Sequence, residues 1–158
     1  MVNQYIKNGN FIKKLEHWTQ GPEPFDPQFK PHGDGNSIHL PISASLQQPF
    51  PEMPGKTMRL EFEVRSAQPD VDQAMFTVSV GGFNSDGAAQ VSPVSGLASS
   101  EWQTYSVRVY FQRPLKHCFL MASLPSPALI KGQQAPSVAP ALAAVRFANF
   151  RLFEEPKA

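Results

Sequence analysis

The side chains that could do chemistry in this chain are few and scattered. Its four histidines, His17, His32, His39 and His117, have spacings that match no metal-ligand or acid–base pattern. The single cysteine, Cys118, lies in an apolar stretch, where a buried and unreactive thiol is expected. No nucleophile elbow, zinc-protease helix motif or phosphate loop occurs in the sequence. We therefore predict no catalytic residue, no metal ligand and no enzyme.

The carboxylates are also poorly arranged for acid–base chemistry. Glu61 and Glu63 lie on the polar side of one alternating segment, beside Arg59 and Arg65. A row of alternating opposite charges is typical of a solvated sheet face. The whole chain is balanced in the same way, because 14 Lys and Arg stand against 13 Asp and Glu, a formal net charge of +1. This balance gives no reason to expect a nucleic-acid partner.

The elements that must position these side chains are strands. Proline supplies 16 of the 158 residues, roughly twice its usual share, and it interrupts helices and central strands. With 41% hydrophobic residues and 12 Phe, the chain can still bury one core, so we predict a single domain over 1–158. No run is apolar enough for a membrane helix, and no signal peptide is apparent. We expect a protein made in the cytoplasm, or a mature form whose leader was removed.

Alternation of apolar and polar side chains predicts where the strands lie. The pattern has a period of two in the three longest segments, 57–66, 74–83 and 103–112. Residues 117–124 are instead apolar on both faces. The predicted strands are 37–41, 45–50, 57–66, 74–83, 103–112 and 117–124. Each alternating strand would turn one face to the core and the other to solvent.

The last part of the chain is ambiguous between a helix and a strand. A helix would place Asn149 in its apolar stripe. A strand would place Val145 and Phe147 on one face, and then Phe150 and Leu152 together after a slip of one residue. Such a slip is what a β-bulge produces, so we favour a bulged strand.

Long proline-rich stretches separate the predicted strands. Residues 21–35 contain four prolines and are expected to be irregular, and residues 125–140 are expected to form a long loop. Seven or eight antiparallel strands with such loops and no helix predict an all-β fold. We expect an antiparallel β-sandwich, or jelly roll, with its core between two sheets.

Five short motifs follow one another along the chain. They are NGNF (8–11) followed by Trp18 and Thr19, Gln48 and Phe50 in a QxF pattern, PGKTMRL (54–60), EWQTYSV (101–107) and VRFANFRL (145–152). In content and order they resemble the motifs of carbohydrate-binding modules of the galactose-binding-like jelly-roll group. The resemblance spans nearly the whole chain and implies a non-catalytic module that binds carbohydrate. Lone modules of this kind look similar to small proteins of bacteriophage tails.

Two positions depart from the pattern of that family. Where its members commonly place a Glu and an Asp that help to hold a structural calcium ion, this chain has Ile12 and Ala148. Ca²⁺ takes roughly six to eight oxygen ligands, including carboxylates, so we expect no calcium at this place and no other cofactor. Asp34 and Asn36 also carry oxygen atoms, but their glycine-flanked sequence is typical of a turn.

A ligand site can be proposed if strands 74–83 and 103–112 lie side by side, as the family's strand order implies. Their outward side chains would then form one surface, and an exposed ring among hydrogen-bonding groups suits a sugar. The predicted ligand-binding residues are Thr77, Ser79, Phe83, Arg108, Tyr110 and Gln112. The alternatives are an ordinary solvated sheet and a surface that another subunit covers.

The large aromatic side chains outside these strands are also candidates for stacking. Trp18 and Trp102 lie in motifs that favour a place in the core, and we predict both to be buried. Phe25 and Phe29 lie among prolines, where they would either form a contact surface or plug one end of the sandwich.

The sequence therefore leaves two functions open. The first is recognition of a cell-surface glycan by a non-catalytic module, made without a signal peptide and incorporated in a phage tail or another virion appendage. The second is a structural domain that docks on another protein subunit or forms a homo-oligomer, without a sugar ligand. The rigid loops at 22–31 and 125–140 would then make the protein contacts. Neither function involves nucleic acid or a membrane.

Overall fold

A computed structural model of the chain describes residues 4–22, 24–125 and 143–155, which form strands and turns. The strands are β1 (Thr19–Gln20), β2 (Gln28–His32), β3 (Gly35–Leu40), β4 (Ser45–Met53), β5 (Thr57–Ser66), β6 (Ala74–Phe83), β7 (Ala89–Ala98), β8 (Gln103–Tyr110), β9 (Leu115–Ser123) and β10 (Val145–Glu154). Sheet A has the order β2-β3-β10-β5-β8, and sheet B has the order β1-β4-β9-β6-β7. The described residues contain no helix that could cross a membrane. The predicted all-β antiparallel sandwich is confirmed.

Alternating burial explains why the central strands form as they do. In β5 the apolar side chains of Met58, Leu60, Phe62 and Val64 are all 1% exposed or less, and the charged residues between them are half-buried on the other face. The apolar faces of both sheets meet in one continuous core. Strands β5 and β6 have the predicted bounds, because their alternation runs without interruption from end to end.

The final strand is bulged, as its sequence predicted. The pairing of β10 with β5 shifts between Ala148 and Arg151. Asn149 takes a φ of 52° within this bulge, a left-handed conformation that Asn tolerates better than most residues. The shift lets Phe147 and Phe150 both point into the core, where each is 1% exposed.

Three strands were not predicted, and four predicted strands have different bounds. β2 lies in the stretch expected to be irregular, and β1 and β7 were not predicted. Each is an edge strand, where prolines such as Pro31 and Pro93 are tolerated because one side of the strand needs no partner. β8 ends at Tyr110, two residues earlier than expected, whereas β4 continues three residues beyond its predicted end, to Met53. β3 covers 35–40 instead of 37–41, and β9 covers 115–123 instead of 117–124. The predicted loop at 125–140 lies outside the described residues, except for Pro125.

Aromatic rings run through the core in a connected series. Tyr105 stacks on Phe62 with ring centroids 5.2 Å apart, and Phe62 contacts Phe76, Phe147 and Phe150 at 5.7 to 6.1 Å. Edge-to-face and offset contacts of this kind add to the free energy of burial. The series continues from the middle of the sandwich toward the amino-terminal segment.

The aromatic residues of that segment complete the series. Trp18 is 6% exposed and lies 5.4 Å from Phe150, so its predicted place in the core is confirmed. Phe25 and Phe29 are half-buried against the core, and Phe29 lies in the edge strand β2. Trp102 is not in the core. It directly precedes β8 and lies in step with the exposed, outward-facing residues of that strand, so it is half-buried on the outer face of sheet A, with its ring 4.2 Å from that of His32.

The opening motif is a structural device that fixes the chain before the first strand. The Asn8 side chain donates to the carbonyls of Lys14 and Glu16, each at 2.9 Å, and accepts from the backbone N–H of Lys13. The indole N–H of Trp18 donates to the Asn8 carbonyl at 3.0 Å. The loop between the two motif residues is therefore closed by its own polar groups.

Candidate functional site

The structure divides the six predicted ligand-binding residues between two sheets. β6 lies between β9 and β7 in sheet B, whereas β8 pairs with β5 in sheet A. The prediction that these two strands lie side by side is therefore wrong. Alternation identifies the buried face of a strand, but it does not tell which sheet the strand joins, and three strands, β1, β2 and β7, were not predicted.

The first three residues belong to the outer face of sheet B. Thr77 forms a hydrogen bond with Ser95 of the neighbouring strand, with the two hydroxyl oxygens 3.0 Å apart. Ser79 is 7% exposed, so little of it can touch a ligand. Phe83 is 42% exposed at the end of β6. Of these three, Phe83 offers the most surface.

The other three residues lie toward the opposite side of the molecule. The Arg108 guanidinium donates to a Glu155 carboxylate oxygen at 2.7 Å, and Tyr110 is 66% exposed on the same outer face of sheet A. Gln112 is exposed in the turn that follows β8. Sheets in a sandwich pack about 10 Å apart, so no small ligand contacts both groups through the core.

A large depression lies at one end of the sandwich, and we call it the end cleft. Its volume is about 1130 Å³. It is bordered by the end of β4, the end of β6 with its following turn, the start of β9 and the end of β10. The polar, charged and aromatic side chains that line it include Tyr5, Glu52, Phe83, Asn84, Arg113, His117 and Glu154.

Two aromatic rings contribute to the apolar surface of the end cleft. Phe83 presents an exposed ring, and Tyr5 is half-buried with its ring 5.9 Å from that of Phe50. Burial raises the pKa of the Tyr5 hydroxyl, and the nearby carboxylates of Glu154 and Glu52 raise it further. Tyr5 is therefore a protonated hydroxyl near neutral pH, able to donate and to accept a hydrogen bond.

The charged groups around the end cleft are largely paired. Arg113 donates to Asp86 at 2.9 Å, and Lys56 approaches Glu154 at 2.6 Å. Glu52 lies directly opposite Lys116 in the β4–β9 ladder. A cleft whose charges are balanced in this way has no electrostatic preference for a highly charged anion or cation.

His117 connects the end cleft to a second depression. The pairing of β6 with β9 shifts beside this residue, and His117 takes a φ of 50° on an exposed bulge. Bulges redirect side chains and are common next to functional sites. The second depression, of about 480 Å³, lies along Pro49, Pro51 and Phe119 on the outer face of sheet B, and we call it the proline groove.

Sequence reasoning missed both His117 and Tyr5 as members of a site. His117 was considered only for metal-ligand spacing, which it lacks. The neighbouring pair Gly81 and Gly82 was the available signal, because glycines inside a strand often mark a bulge. A Cβ atom on Gly82 would lie 2.8 Å from the Cys118 sulfur, so the bulge needs glycine there. Tyr5 carries no local signal, since its neighbours in the cleft come from distant parts of the chain.

The residues at the family's calcium position do not fit a calcium ion. Ile12 is 58% exposed and Ala148 is fully buried, and neither side chain has an oxygen atom. Asn36 is committed elsewhere, because its amide donates to the Phe11 carbonyl at 2.9 Å. Across residues 4–22, 24–125 and 143–155, no three His, Cys, Asp or Glu side chains gather as a metal site would require. The predicted lack of calcium stays a prediction.

Comparison with known proteins gives relatives at the level of fold. No family model and no curated protein sequence matches the chain. The structure of TmCBM61 in complex with β-1,4-galactotriose is similar with a TM-score of 0.57 and 13% identity, over 97% of this chain and 99% of that one. The CBM22-1 xylan-binding domain of Paenibacillus barcinonensis Xyn10C is similar with a TM-score of 0.65 and 9% identity, over 99% and 97%.

A viral protein shares the fold as well. The enzymatically active domain of tailspike protein 4 from bacteriophage CBA120 is similar with a TM-score of 0.65 and 11% identity. The match covers 94% of this chain and 21% of the tailspike chain, so this chain spans about a fifth of that protein. The predicted resemblance to jelly-roll carbohydrate-binding modules is confirmed for the fold.

Proposed function

We propose that this chain is a non-catalytic carbohydrate-binding module that holds a glycan in the end cleft. The observation that carries the proposal is the exposed ring of Phe83 beside Tyr5, Asn84 and Arg113 in one cleft. Sugars present apolar C–H faces that pack on aromatic rings, and hydroxyls that exchange hydrogen bonds with polar side chains. The end cleft combines both kinds of group.

The shared fold supports this class of function without identifying the ligand. Two of the similar structures are described as a complex with β-1,4-galactotriose and as a xylan-binding domain. One fold hosts many functions, so the site must carry the argument. The balanced charges of the end cleft favour a neutral glycan for that site.

The proline groove suggests that the ligand is longer than one sugar. It shares His117 with the end cleft, so the two depressions adjoin along the start of β9. An extended oligosaccharide could lie in both, with Phe83 at one end and Phe119 at the other. We therefore expect oligosaccharides to bind more tightly than the monosaccharides from which they are built.

The test is calorimetric titration of the chain with neutral β-1,4-linked galactan and xylan oligosaccharides. Phe83→Ala removes the exposed ring, and we expect affinity to fall about tenfold or more, which corresponds to about 1.4 kcal/mol. Tyr110→Ala is the matched control, because it removes an exposed ring from the outer face of sheet A. Circular dichroism would verify that both variants are folded.

The control also distinguishes the end cleft from the site predicted from the sequence. Loss of binding in Tyr110→Ala with full binding in Phe83→Ala would move the glycan to the side of Arg108 and Gln112. If both variants bind the glycan as tightly as the wild type, both placements are rejected. A chain that binds no glycan at millimolar concentration would contradict the proposed function itself.

A role in a phage tail or another virion appendage belongs to this proposal as its biological setting. It is supported by the tailspike domain, which shares the fold over 94% of this chain. Tail or capsid genes beside the gene for this chain would agree with that role. A gene neighbourhood of plant-polysaccharide degradation would instead favour a module of a glycan-degrading system.

A second candidate function is a docking domain for another subunit. It is favoured by Val91 and Leu97, which are 50% and 39% exposed on the edge strand β7. Apolar side chains on an edge strand can mediate contacts between proteins. Light scattering that shows a monomer at all concentrations would contradict self-association through this edge.

A further inference from the structure

One end of the outer face of sheet A carries a row of basic side chains, which we call the cationic row after its charged members Arg65, Arg146 and Lys30. Arg146 of β10 lies directly opposite His39 of β3 on one side and Arg65 of β5 on the other. Lys30 of β2 is close enough to influence the His39 imidazole. The residues that alternate with them, such as Val64, are fully buried, so this row belongs to the outer face.

The rest of the same face shows how unusual this row is. Arg59 and Arg108 both contact the Glu155 carboxylate, at 2.5 and 2.7 Å, and Arg151 lies 3.5 Å from Glu61. Like charges directly opposite each other destabilise a sheet. At one end of sheet A, carboxylates therefore neutralise the charges of the arginines. At the other end, Arg65 and Arg146 lie side by side.

The cationic row has no carboxylate partner within the part of the chain that the structure describes. The shortest polar contacts of the two arginines are with neutral oxygens: Arg146 approaches the Ser37 hydroxyl at 3.5 Å, and Arg65 donates to the Ser66 carbonyl at 3.2 Å. Glu63, the next outward residue of β5, already accepts a hydrogen bond from Asn149 and lies 3.2 Å from the His32 imidazole.

Partial burial increases the cost of leaving these charges together. Burial lowers the pKa of Arg146, and the adjacent Arg65 lowers it further. Burial also lowers the pKa of His39, with added contributions from Arg146 and Lys30, so His39 is a neutral imidazole near neutral pH and the charges of the row are those of Arg65, Arg146 and Lys30. A half-buried cluster of one sign is stabilised most directly by a ligand of the opposite sign.

We propose that Arg65 and Arg146 form a binding site for an oxyanion, with Ser37, His39 and Lys30 around it. A guanidinium group presents parallel N–H donors that match a carboxylate, a sulfate or a phosphate. Trp102 lies beside the site, with the Arg65 guanidinium carbon 6.0 Å from its ring centroid. The site is on the outer face of sheet A, so it is separate from the end cleft and independent of the proposed glycan function.

The experiment compares the melting temperature in sodium sulfate, phosphate, glucuronate and chloride at constant ionic strength, together with titration calorimetry. We expect millimolar oxyanion to raise the melting temperature of the wild-type chain. Arg146→Gln should abolish that rise and increase the dissociation constant for the oxyanion at least about tenfold. Arg151→Gln is the matched control, because Arg151 lies on the same strand and face but is paired with Glu61.

The melting temperature without oxyanion separates a binding role from a structural one. Removing one of several like charges should leave Arg146→Gln as stable as the wild type, or more stable. A clear loss of stability in chloride together with a retained oxyanion response would overturn the proposal. Arg65→Gln provides a second variant with the same expected loss of response, should Arg146→Gln fold poorly.

The set of anions identifies the source of the oxyanion. Tighter binding of glucuronate than of sulfate or phosphate would assign the site to the carboxylate of an acidic sugar, and the reverse order would assign it to a sulfate or phosphate group. Equal rises of melting temperature in the wild type and all variants would be the general effect of salting anions. That result would overturn the proposal.

Discussion

Cys118 illustrates how position determines the reactivity of a single residue. The side chain is 1% exposed, and burial, with a contribution from Glu52, raises the pKa of its thiol to about 11. The sequence predicted a buried and unreactive thiol, and its burial is confirmed. The thiolate is the reactive form of cysteine, so both access and ionisation oppose modification in the folded chain.

We therefore predict that Cys118 resists thiol reagents until the chain unfolds. At pH 8 about one thiol in a thousand would be ionised for a pKa near 11. Ellman's reagent should react at the rate of global or local unfolding, and at once in guanidinium chloride. Reaction of the native chain within seconds at pH 8 would contradict this burial.

Gln48 shows how a side chain can act as part of a strand. It is 2% exposed in β4, and its amide both accepts from the Lys7 N–H and donates to the Lys7 carbonyl, each at 2.7 Å. These two bonds reproduce a backbone ladder between the amino-terminal segment and sheet B. The QxF motif that contributed to the family resemblance therefore has a structural purpose.

We predict that Gln48→Ala destabilises the chain by about 1–3 kcal/mol, because removing the buried amide breaks both hydrogen bonds and leaves the Lys7 N–H and carbonyl without these partners. Urea unfolding followed by fluorescence measures the change. Gln47→Ala is the matched control, since its side chain is exposed on the same strand and should change stability little. Equal effects of the two substitutions would mean that the Gln48 bonds contribute nothing.

The strands that sequence reasoning located are those whose side chains alternate in burial. β5 and β6 were predicted to the residue, and the bulge in β10 was predicted from the slip between Phe147 and Phe150. β7 was not predicted because small residues and Pro93 weaken its apolar–polar alternation, and because an edge strand buries less apolar side-chain surface than a central one. Local pattern thus reports burial, and it fails where burial is partial.

The candidate site depends on contacts across the whole molecule, which explains why it was predicted less well. Phe83 was predicted as a ligand contact, but Tyr5, Glu154 and His117 reach the same cleft from the two ends of the chain and from β9. Their proximity depends on strand order, which no local spacing encodes. The motifs predicted the fold because Asn8, Trp18 and similar residues stabilise the sandwich. They did not predict the ligand, because these roles are the same whichever ligand is bound.

The carboxylate of Glu155 connects three strands of sheet A, β10, β5 and β8. It follows β10 directly, and it contacts Arg59 of β5 and Arg108 of β8 at 2.5 and 2.7 Å. Hydrogen bonds from Arg59 and then from Arg108 lower the pKa of Glu155 below its ordinary value of 4.5. The folded chain therefore binds the proton of this group less readily than the unfolded chain does.

The sign of the resulting pH dependence follows from this difference. The stabilisation is fully present above pH 4.5 and is lost as the pH falls through the lowered pKa of the folded state. We predict that Glu155→Gln melts at a lower temperature than the wild type at pH 7, and that the difference narrows toward pH 3. Glu101→Gln, an exposed carboxylate outside this cluster, should follow the wild type at every pH. A difference between Glu155→Gln and the wild type that is constant from pH 7 to pH 3 would show that the side chain contributes by packing, and that its charge does not connect the three strands.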